Sequence, residues 1–156
     1  MKKRQQPKSI TNRNARFKYH LSDFHKAGIV LKGTEIKSLR AGNADLSDAY
    51  VTFRHGEAFL INAYIAPYDK GNIHNHEPRR ERKLLLRKRE IRRLAQEVEK
   101  AGKTVVPTKI FFDRGLAKLE IAVGTGKKLH DKREAIKERD QKRAIEQRLK
   151  EGRYND

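Results

Sequence analysis

Two strand–turn–strand segments constrain the fold of this chain more than any other feature of its sequence. Both consist of β-branched and aromatic stretches, which favour extended backbone. The turn between the first pair is His55-Gly56, and the turn between the second pair is Asp113-Arg114-Gly115; a glycine in this position favours a hairpin. The four predicted strands are residues 50–54, 58–65, about 104–112 and about 116–123. The chain is therefore predicted to contain two antiparallel hairpins.

A strand and a short helix are predicted before the first hairpin. Residues 19–31 contain an extended pattern that Gly28 is expected to break. A helix is predicted at about 34–41, with Thr34 as its N-cap and Gly42 closing it in the left-handed conformation.

A second helix is predicted at about 88–101, because its apolar residues recur on one face and Gly102 follows it. Pro67 ends the preceding strand, and the polar segment 68–82 is predicted to be a loop. About six short strands, with few helices and no regular βα alternation, favour a mainly β protein. At this length, a small OB-type antiparallel barrel is the natural candidate.

The positive charge of the chain is large and unevenly distributed. The 156 residues hold 38 Lys and Arg against 20 Asp and Glu, a net charge of +18. Residues 1–20 hold seven bases and no acid, and residues 79–93 hold nine bases and two acids. Such an excess predicts a polyanionic partner, because each neutralised phosphate releases counterions. A solvated face for solubility is the alternative; an anionic membrane is less favoured, since no amphipathic apolar face accompanies the bases.

Composition divides the chain into three parts: a basic N-terminal extension at 1–18, a barrel at 19–123 and a basic tail at 124–156. The tail has few apolar residues, so we expect it to be disordered when free and helical against an anionic surface. The first twenty residues lack the apolar run of a signal peptide, and no stretch approaches the roughly 18 apolar residues of a membrane span. A cytosolic protein is therefore expected.

No motif in the sequence predicts catalysis. His74-Asn75-His76 spells a nuclease motif, but two histidines in a polar loop are more typical of plain surface. Gly124 to Lys128 resembles the end of a phosphate loop, yet Ile121 and Lys128 replace the required glycine and hydroxyl residue. Glu35 and Asp113 are isolated carboxylates, and there is no cysteine. We expect a protein that is not an enzyme and that holds neither a metal nor a cofactor.

Several residues are candidate RNA contacts on chemical grounds. Lys37 and Arg40 are three positions apart on the short helix, opposite its apolar residues. The bases at 79–83 and 87–89 are denser than a solvated face needs. Five aromatic residues lie at strand spacing, where they either stack on bases or, as the spacing favours, fill the core. They are Tyr50, Phe53, Tyr64, Phe111 and Phe112.

Four segments, in order along the chain, resemble the SsrA-binding protein (small protein B) family. They are residues 32–42 (KGTEIKSLRAG), the hairpin pieces 57–60 and 64–68, residues 80–91 with RKLLL, and residues 126–133 (GKKLHDKR). The resemblance implies an OB-type barrel that binds the tRNA-like domain of transfer-messenger RNA. It also implies that the basic tail enters the stalled ribosome, at the decoding site and in the mRNA path, where it replaces the missing codon–anticodon pairing during trans-translation.

The resemblance assigns roles to two sets of residues. The RNA-binding set is Lys26, Glu35, Lys37, Arg40, Arg80, Arg82, Lys83, Leu85, Arg87 and Lys88. The ribosome-contacting set is Lys127, Lys128, His130, Asp131, Lys132 and Arg133. Within the first set, Glu35 is expected to orient a basic neighbour or a base edge.

The chain departs from the family pattern at two positions. Lys26 stands where the family usually has Glu, and Arg87 stands where many members have His or Asn. Both residues are positively charged, so we expect RNA binding to survive.

The expected partners are transfer-messenger RNA and the ribosome, with the protein a monomer when free. Two alternatives share the same charge. One is a structural ribosomal protein, which would occur at constant stoichiometry on ribosomes. The other is a basic RNA nuclease, which would hydrolyse labelled RNA as a pure protein.

Overall fold

The structure is a computed structural model that describes residues 7–71, 74–127, 139 and 141–143. Its strands are β1 (Ile10–Thr11), β2 (Tyr19–Ile29), β3 (Ala44–Asp45), β4 (Tyr50–Arg54), β5 (Glu57–Ile61), β6 (Tyr64–Ile65), β7 (Arg82–Leu85), β8 (Thr104–Asp113) and β9 (Leu116–Gly126). Its helices are α1 (Arg13–Lys18), α2 (Gly33–Arg40) and α3 (Lys88–Ala101). Arg139 and residues 141–143 are helical and exposed.

Six antiparallel strands form a closed ring. The order of hydrogen-bonded neighbours is β8-β4-β5-β7-β2-β9, and β9 pairs back with β8. The predicted small antiparallel barrel, mainly β with short helices, is confirmed. Its ring holds six strands, one more than the five of a typical OB-fold. β1 adds to the free edge of β8, and β3 pairs with β6 in a separate two-stranded sheet.

The interior of the barrel is filled by the alternate residues of each strand. Val51 opposes Leu60 across the β4–β5 pair, and Ile110 opposes Leu119 across the β8–β9 pair. These side chains are buried, as are Leu39 from α2 and Leu94 from α3. Because both longer helices contribute to one core, their polar faces are held at fixed positions on the barrel surface.

The predicted break of the first strand at Gly28 is wrong. β2 passes through Gly28, which is paired with Leu85 on one side and Lys118 on the other. A Cβ atom at this position would lie 3.1 Å from the Cβ of Leu85, so the glycine serves close approach of a neighbouring side chain. The irregularity in β2 occurs between Ser22 and His25, where Asp23 has a positive φ of 51°.

The helix predicted at about 34–41 is α2, which begins one residue earlier, at Gly33, and Thr34 is not its N-cap. Lys32 occupies the cap, and its N–H donates to the Glu35 carboxylate at 2.8 Å. The hydroxyl of Thr34 instead lies 2.8 Å from Nδ1 of His76. Gly42 has φ +78°, which confirms the predicted left-handed closure.

The predicted strand at 58–65 is two strands. β5 ends at Ile61, and Asn62 adopts a left-handed conformation with φ +61°, which asparagine tolerates better than most residues. The chain then turns away from the barrel, and Tyr64–Ile65 pairs with Ala44–Asp45. The sequence pattern missed this bend because residues on both sides of Asn62 favour extended backbone.

Strand pairing extends beyond both ends of the predicted barrel, residues 19–123. Ile10 and Thr11 pair with β8, and the side-chain amide of Asn12 donates to the carbonyls of Leu46 and Pro107 at 3.1 and 2.8 Å. At the other end, β9 continues to Gly126, and the N–H of Lys127 donates to the carbonyl of Lys18 at 3.0 Å.

No helix among the described residues is long and apolar enough to cross a membrane.

The helix predicted at about 88–101 is confirmed as α3 (Lys88–Ala101), and Gly102 follows it with φ +64°. β7 was missed by sequence analysis, since Arg82–Leu85 is flanked by basic residues and its first residue had been assigned to the loop at 68–82. This strand connects the ring between β5 and β2, so it positions the basic segment that leads into α3.

Candidate nucleic-acid interface

An open groove crosses the outer surface where β2, β7 and the β8–β9 hairpin meet the start of α3. One part has a volume of about 490 Å³ and a neighbouring part a volume of about 860 Å³. Lys26, Arg87 and Glu90 line both parts, so the two are continuous. We call this the cationic groove; its bases are Lys26, Arg87, Arg89, Arg93 and Lys118.

Strand alternation explains why the groove is both basic and apolar. On β2, Ala27 and Ile29 point into the core, so Lys26 points outward. Leu85 is 55% exposed and packs against Gly28 on the adjacent strand. An exposed leucine among cations offers an apolar contact beside phosphate-binding groups, which is the combination that an unstacked nucleotide requires.

Phe111 lies in the groove between lysines. Its ring centroid is 5.7 Å from Nζ of Lys26 and 5.6 Å from Nζ of Lys109, within the range of cation–π interactions. Phe53 and Phe112, in contrast, pack against the core. Of the five aromatic residues, Phe53 and Phe112 therefore belong to the core, and Phe111 lies among the groove bases. Tyr50 is 44% exposed, and the ring centroid of Tyr64 lies 5.4 Å from the guanidinium of Arg79.

Glu35 and Arg82, two of the predicted RNA contacts, are buried in this structure. Both side chains have no exposed surface, and Nε of Arg82 donates to the Glu35 carboxylate. Arg82 also donates to the carbonyls of Ala63 and Pro78, at 2.8 and 3.1 Å. Neither side chain is therefore accessible to a partner in this structure, and both form contacts inside the protein. Sequence rules failed here because an isolated arginine is normally exposed.

Glu35 orients Arg80, as one of the two expectations for this residue stated. Nε of Arg80 donates to Glu35 Oε1 at 3.1 Å, and Nη2 donates to the carbonyl of Val30 at 3.2 Å. Burial alone would raise the pKa of Glu35, but hydrogen bonds from Arg80, the Lys32 N–H and Arg82 hold it below its ordinary value. The carboxylate is therefore charged near neutral pH and keeps Arg80 at the surface, where its side chain is 23% exposed.

A second basic surface lies on α2. Lys37 and Arg40 are both exposed, and Nζ of Lys37 is 5.3 Å from the ring centroid of Tyr68. Neither residue lines the cationic groove. The structure thus places Lys37 and Arg40 on a surface separate from the groove that holds Lys26, Leu85 and Arg87.

Of the two histidines in the loop before β7, only His74 lies at the surface as the sequence indicated. His74 is exposed, but His76 is 4% exposed; its Nδ1 lies near Thr34, and its Nε2 is 2.9 Å from the carbonyl of Ile65. Asn75 accepts from the N–H of Tyr68 and donates to its carbonyl, at 3.1 and 2.6 Å. These bonds hold the loop against α2 and fix the position of Tyr68.

The remaining predicted contacts either do not line the cationic groove or lie outside the residues that the structure describes. Lys83 is exposed and lies 3.1 Å from Glu57, and Lys88 is exposed at the first position of α3. Lys127 is partly exposed. The other predicted tail residues lie outside the described residues, so their role stays a prediction; they are Lys128, His130, Asp131, Lys132 and Arg133.

Comparison with known proteins decides the family. The family described as SmpB protein matches residues 9–151 of this chain. The chain belongs to the SmpB family. A relative from Trichodesmium erythraeum, named SsrA-binding protein, is 52% identical over 141 residues, covering 90% of each chain. Another SsrA-binding protein, from Nitratidesulfovibrio vulgaris, is 55% identical over 138 residues, covering 88% of this chain and 90% of its own.

A solved structure described as "tmRNA-SmpB: a journey to the center of the bacterial ribosome" has the same fold. Its TM-score to this chain is 0.68 and its sequence is 49% identical. The match covers 82% of this chain and 94% of the other.

The SmpB resemblance did not mark every residue of the cationic groove. Phe24, Arg93 and Lys118 were missed, whereas Arg89 belongs to the basic cluster 87–89 that the sequence had indicated. Phe24 is 48% exposed beside the bases of α3. The alternation of inward-facing and outward-facing residues along β2 and β9 could have indicated Phe24 and Lys118. Only the pairing of the strands, however, places both residues in one groove.

Proposed function

We propose that this chain is an RNA-binding adaptor. It binds the tRNA-like domain of transfer-messenger RNA and delivers it to stalled ribosomes for trans-translation. Membership of the SmpB family and relatives named SsrA-binding protein support this function. The likeness to a structure described as a tmRNA-SmpB complex in the ribosome supports the ribosome as a partner.

The observation that carries the proposal is the chemistry of the cationic groove. Its five bases provide donors for backbone phosphates, which supply affinity and fix orientation. Phe24 and Leu85 supply exposed apolar surface, on which bases of an unpaired RNA loop can pack. A folded RNA with both a shaped backbone and splayed loop bases fits this combination better than a uniform duplex does.

Under this proposal the protein acts by binding alone, in the cytoplasm, without a cofactor and as a monomer before it meets RNA. The groove holds the tRNA-like domain, and the surface of Lys37 and Arg40 on α2 provides a second anionic contact. The tail residues 127–133 act at the decoding site and in the mRNA path, in place of an anticodon. Arg80, held by Glu35, is assigned to the same RNA-facing set.

Recovery of RNA from cell extract tests the proposal. The full chain should retain one abundant structured RNA, identified by sequencing as transfer-messenger RNA. The double variant Lys26→Glu with Arg87→Glu should lose this RNA. A matched control, Lys8→Glu with Arg13→Glu, makes the same charge change at exposed residues outside the groove and should retain it. Equal recovery of all ribosomal RNAs, with no enrichment of a free RNA, would instead favour a structural ribosomal protein.

A further inference from the structure

His25 lies between two carboxylates at the edge of the cationic groove. Its Nδ1 is 2.8 Å from Oε2 of Glu90, and its Nε2 is 3.0 Å from Oδ1 of Asp23. The side chain of His25 is 15% exposed. A neutral imidazole has only one N–H donor, whereas a carboxylate only accepts. Both contacts can be hydrogen bonds at once only when the ring is protonated on both nitrogens.

Each of the two carboxylates also contacts an arginine of the cationic groove. Asp23 also accepts from Nε of Arg93 at 3.1 Å, and Glu90 also accepts from the N–H of Arg87 at 3.3 Å. Burial alone would raise the pKa of Glu90, but its hydrogen bonds with His25 and Arg87 lower it. Glu90 is therefore ionised near neutral pH, and its charge is compensated within the protein.

The charged groups that face His25 come from two elements. On β2 they are Asp23 and Lys26; at the start of α3 they are Arg87, Arg89, Glu90 and Arg93. The residue paired with His25 on β9 is Ile121, which is apolar and buried. When the ring is protonated, the net positive charge of this region is at its largest. Both carboxylates are then directed toward the ring.

We propose that His25 is a positioning residue for RNA: its protonated ring keeps the Asp23 and Glu90 carboxylates off the RNA phosphates, so that RNA binding in the cationic groove is linked to proton uptake. This inference rests on the proposed function, since it assumes that RNA occupies the groove. When the ring loses its proton, it can donate to only one of the two acids. The other carboxylate then loses its hydrogen bond to the ring, its negative charge beside the phosphate path is less compensated, and like-charge repulsion weakens binding.

The sign of the effect follows from linkage. The RNA-bound state favours the protonated ring, so affinity is highest at acidic pH and falls as pH rises. Phosphodiesters, Lys and Arg keep their charge between about pH 6 and about pH 8, so they contribute no slope of their own.

Two substitutions at His25 separate charge from structure. His25→Gln removes the titration, and His25→Lys keeps a positive charge at every pH tested. His55→Asn is the matched control, because His55 is exposed in the β4–β5 turn with φ +51°, a conformation that asparagine tolerates. Thermal melts of all four proteins report whether each variant is folded.

The measurement is the dissociation constant of the full chain for a synthetic tRNA-like domain of transfer-messenger RNA at constant salt. Affinity of the unsubstituted chain should fall roughly three- to tenfold between about pH 6 and about pH 8. His25→Gln should bind with the weaker affinity at both pH values, His25→Lys with the stronger affinity at both, and His55→Asn should follow the unsubstituted chain.

Two results overturn the inference while leaving the proposed function in place: a His25→Gln variant that keeps the full pH response, or a His25→Lys variant that weakens with pH as the unsubstituted chain does. If His25→Gln does not fold, the comparison of His25→Lys with the unsubstituted chain decides alone. Absence of binding by the unsubstituted chain at both pH values would overturn the proposed function itself.

Discussion

The carboxylate of Glu35 and the guanidinium of Arg82 form an ion pair, with neither side chain exposed, that joins α2 to β7. Removing one partner leaves an uncompensated buried charge, which costs far more than the loss of a surface pair. Glu35→Gln should therefore destabilise the fold by about 3–5 kcal/mol in urea denaturation. Glu57→Gln, which removes the exposed partner of Lys83, is the matched control and should cost about 0–1 kcal/mol. Similar losses for both variants would contradict a special role for the buried pair.

Acid should destabilise the protein through the same carboxylate. Because the pKa of Glu35 is lower in the folded state than its ordinary value of 4.5, its contribution is complete above that value and is lost as pH falls through the lowered pKa. The free energy of unfolding should decline on acidification below about pH 4.5, and the decline should be shallower in Glu35→Gln. Parallel curves for the two proteins would assign acid unfolding to other groups.

Salt should weaken RNA binding steeply, because under the proposed function the bases of the cationic groove and of α2 neutralise backbone phosphates and release their counterions. With about six phosphate contacts, log K should fall by roughly 4–5 units per decade of salt. A filter-binding titration against sodium chloride measures the slope. A slope near zero would mean that charge does not drive association.

Arg40 on the exposed face of α2 provides a test of the second basic surface. Arg40→Ala should weaken RNA binding by about 1–3 kcal/mol, the scale of a charge-assisted hydrogen bond, with an unchanged melting temperature. Arg13→Ala, at an exposed position of α1, is the matched control and should have no such effect. Unchanged affinity of Arg40→Ala would assign α2 a purely structural role.

The tail should be separable from the barrel, and the structure moves the point at which to cut. Gly124 is paired with Leu21 and Thr104, and Gly126 is paired with Tyr19, so removal of residues 124–156 would also remove part of β9. Removal of residues 128–156 should leave the melting temperature nearly unchanged and RNA binding largely intact. Tagging of stalled peptides in a reconstituted translation system should be lost.

A triple replacement distinguishes the tail motif from bulk charge. Changing Asp131, Lys132 and Arg133 to Ala removes one acid and two bases, so the net charge falls by only one. Loss of tagging is expected if this motif acts at the decoding site. Tagging at the normal rate would show that the tail acts only through its overall positive charge.

Local sequence rules predicted the parts of the fold that depend on local chemistry. Gly42 and Gly102 both adopt the left-handed conformation that ends a helix, and α3 occupies the predicted residues. The apolar periodicity of α3 and of the β8–β9 hairpin was sufficient, since it reports which face of one element is buried. The same rules failed at Gly28 and Asn62, where the conformation depends on a neighbouring strand.

What the sequence determined by itself was the basic charge and its clusters, the hairpins and helices, and the family signatures that led to an RNA partner. The tertiary structure alone decided which of these bases lie together on one surface. Arg82 and Glu35 are 47 residues apart, and only closure of the barrel brings them together and buries them. The same closure places Lys26, Arg87 and Lys118, from three separate segments, around one groove. Periodicity specifies the face of an element, whereas long-range strand pairing specifies its neighbours, and a binding surface depends on both.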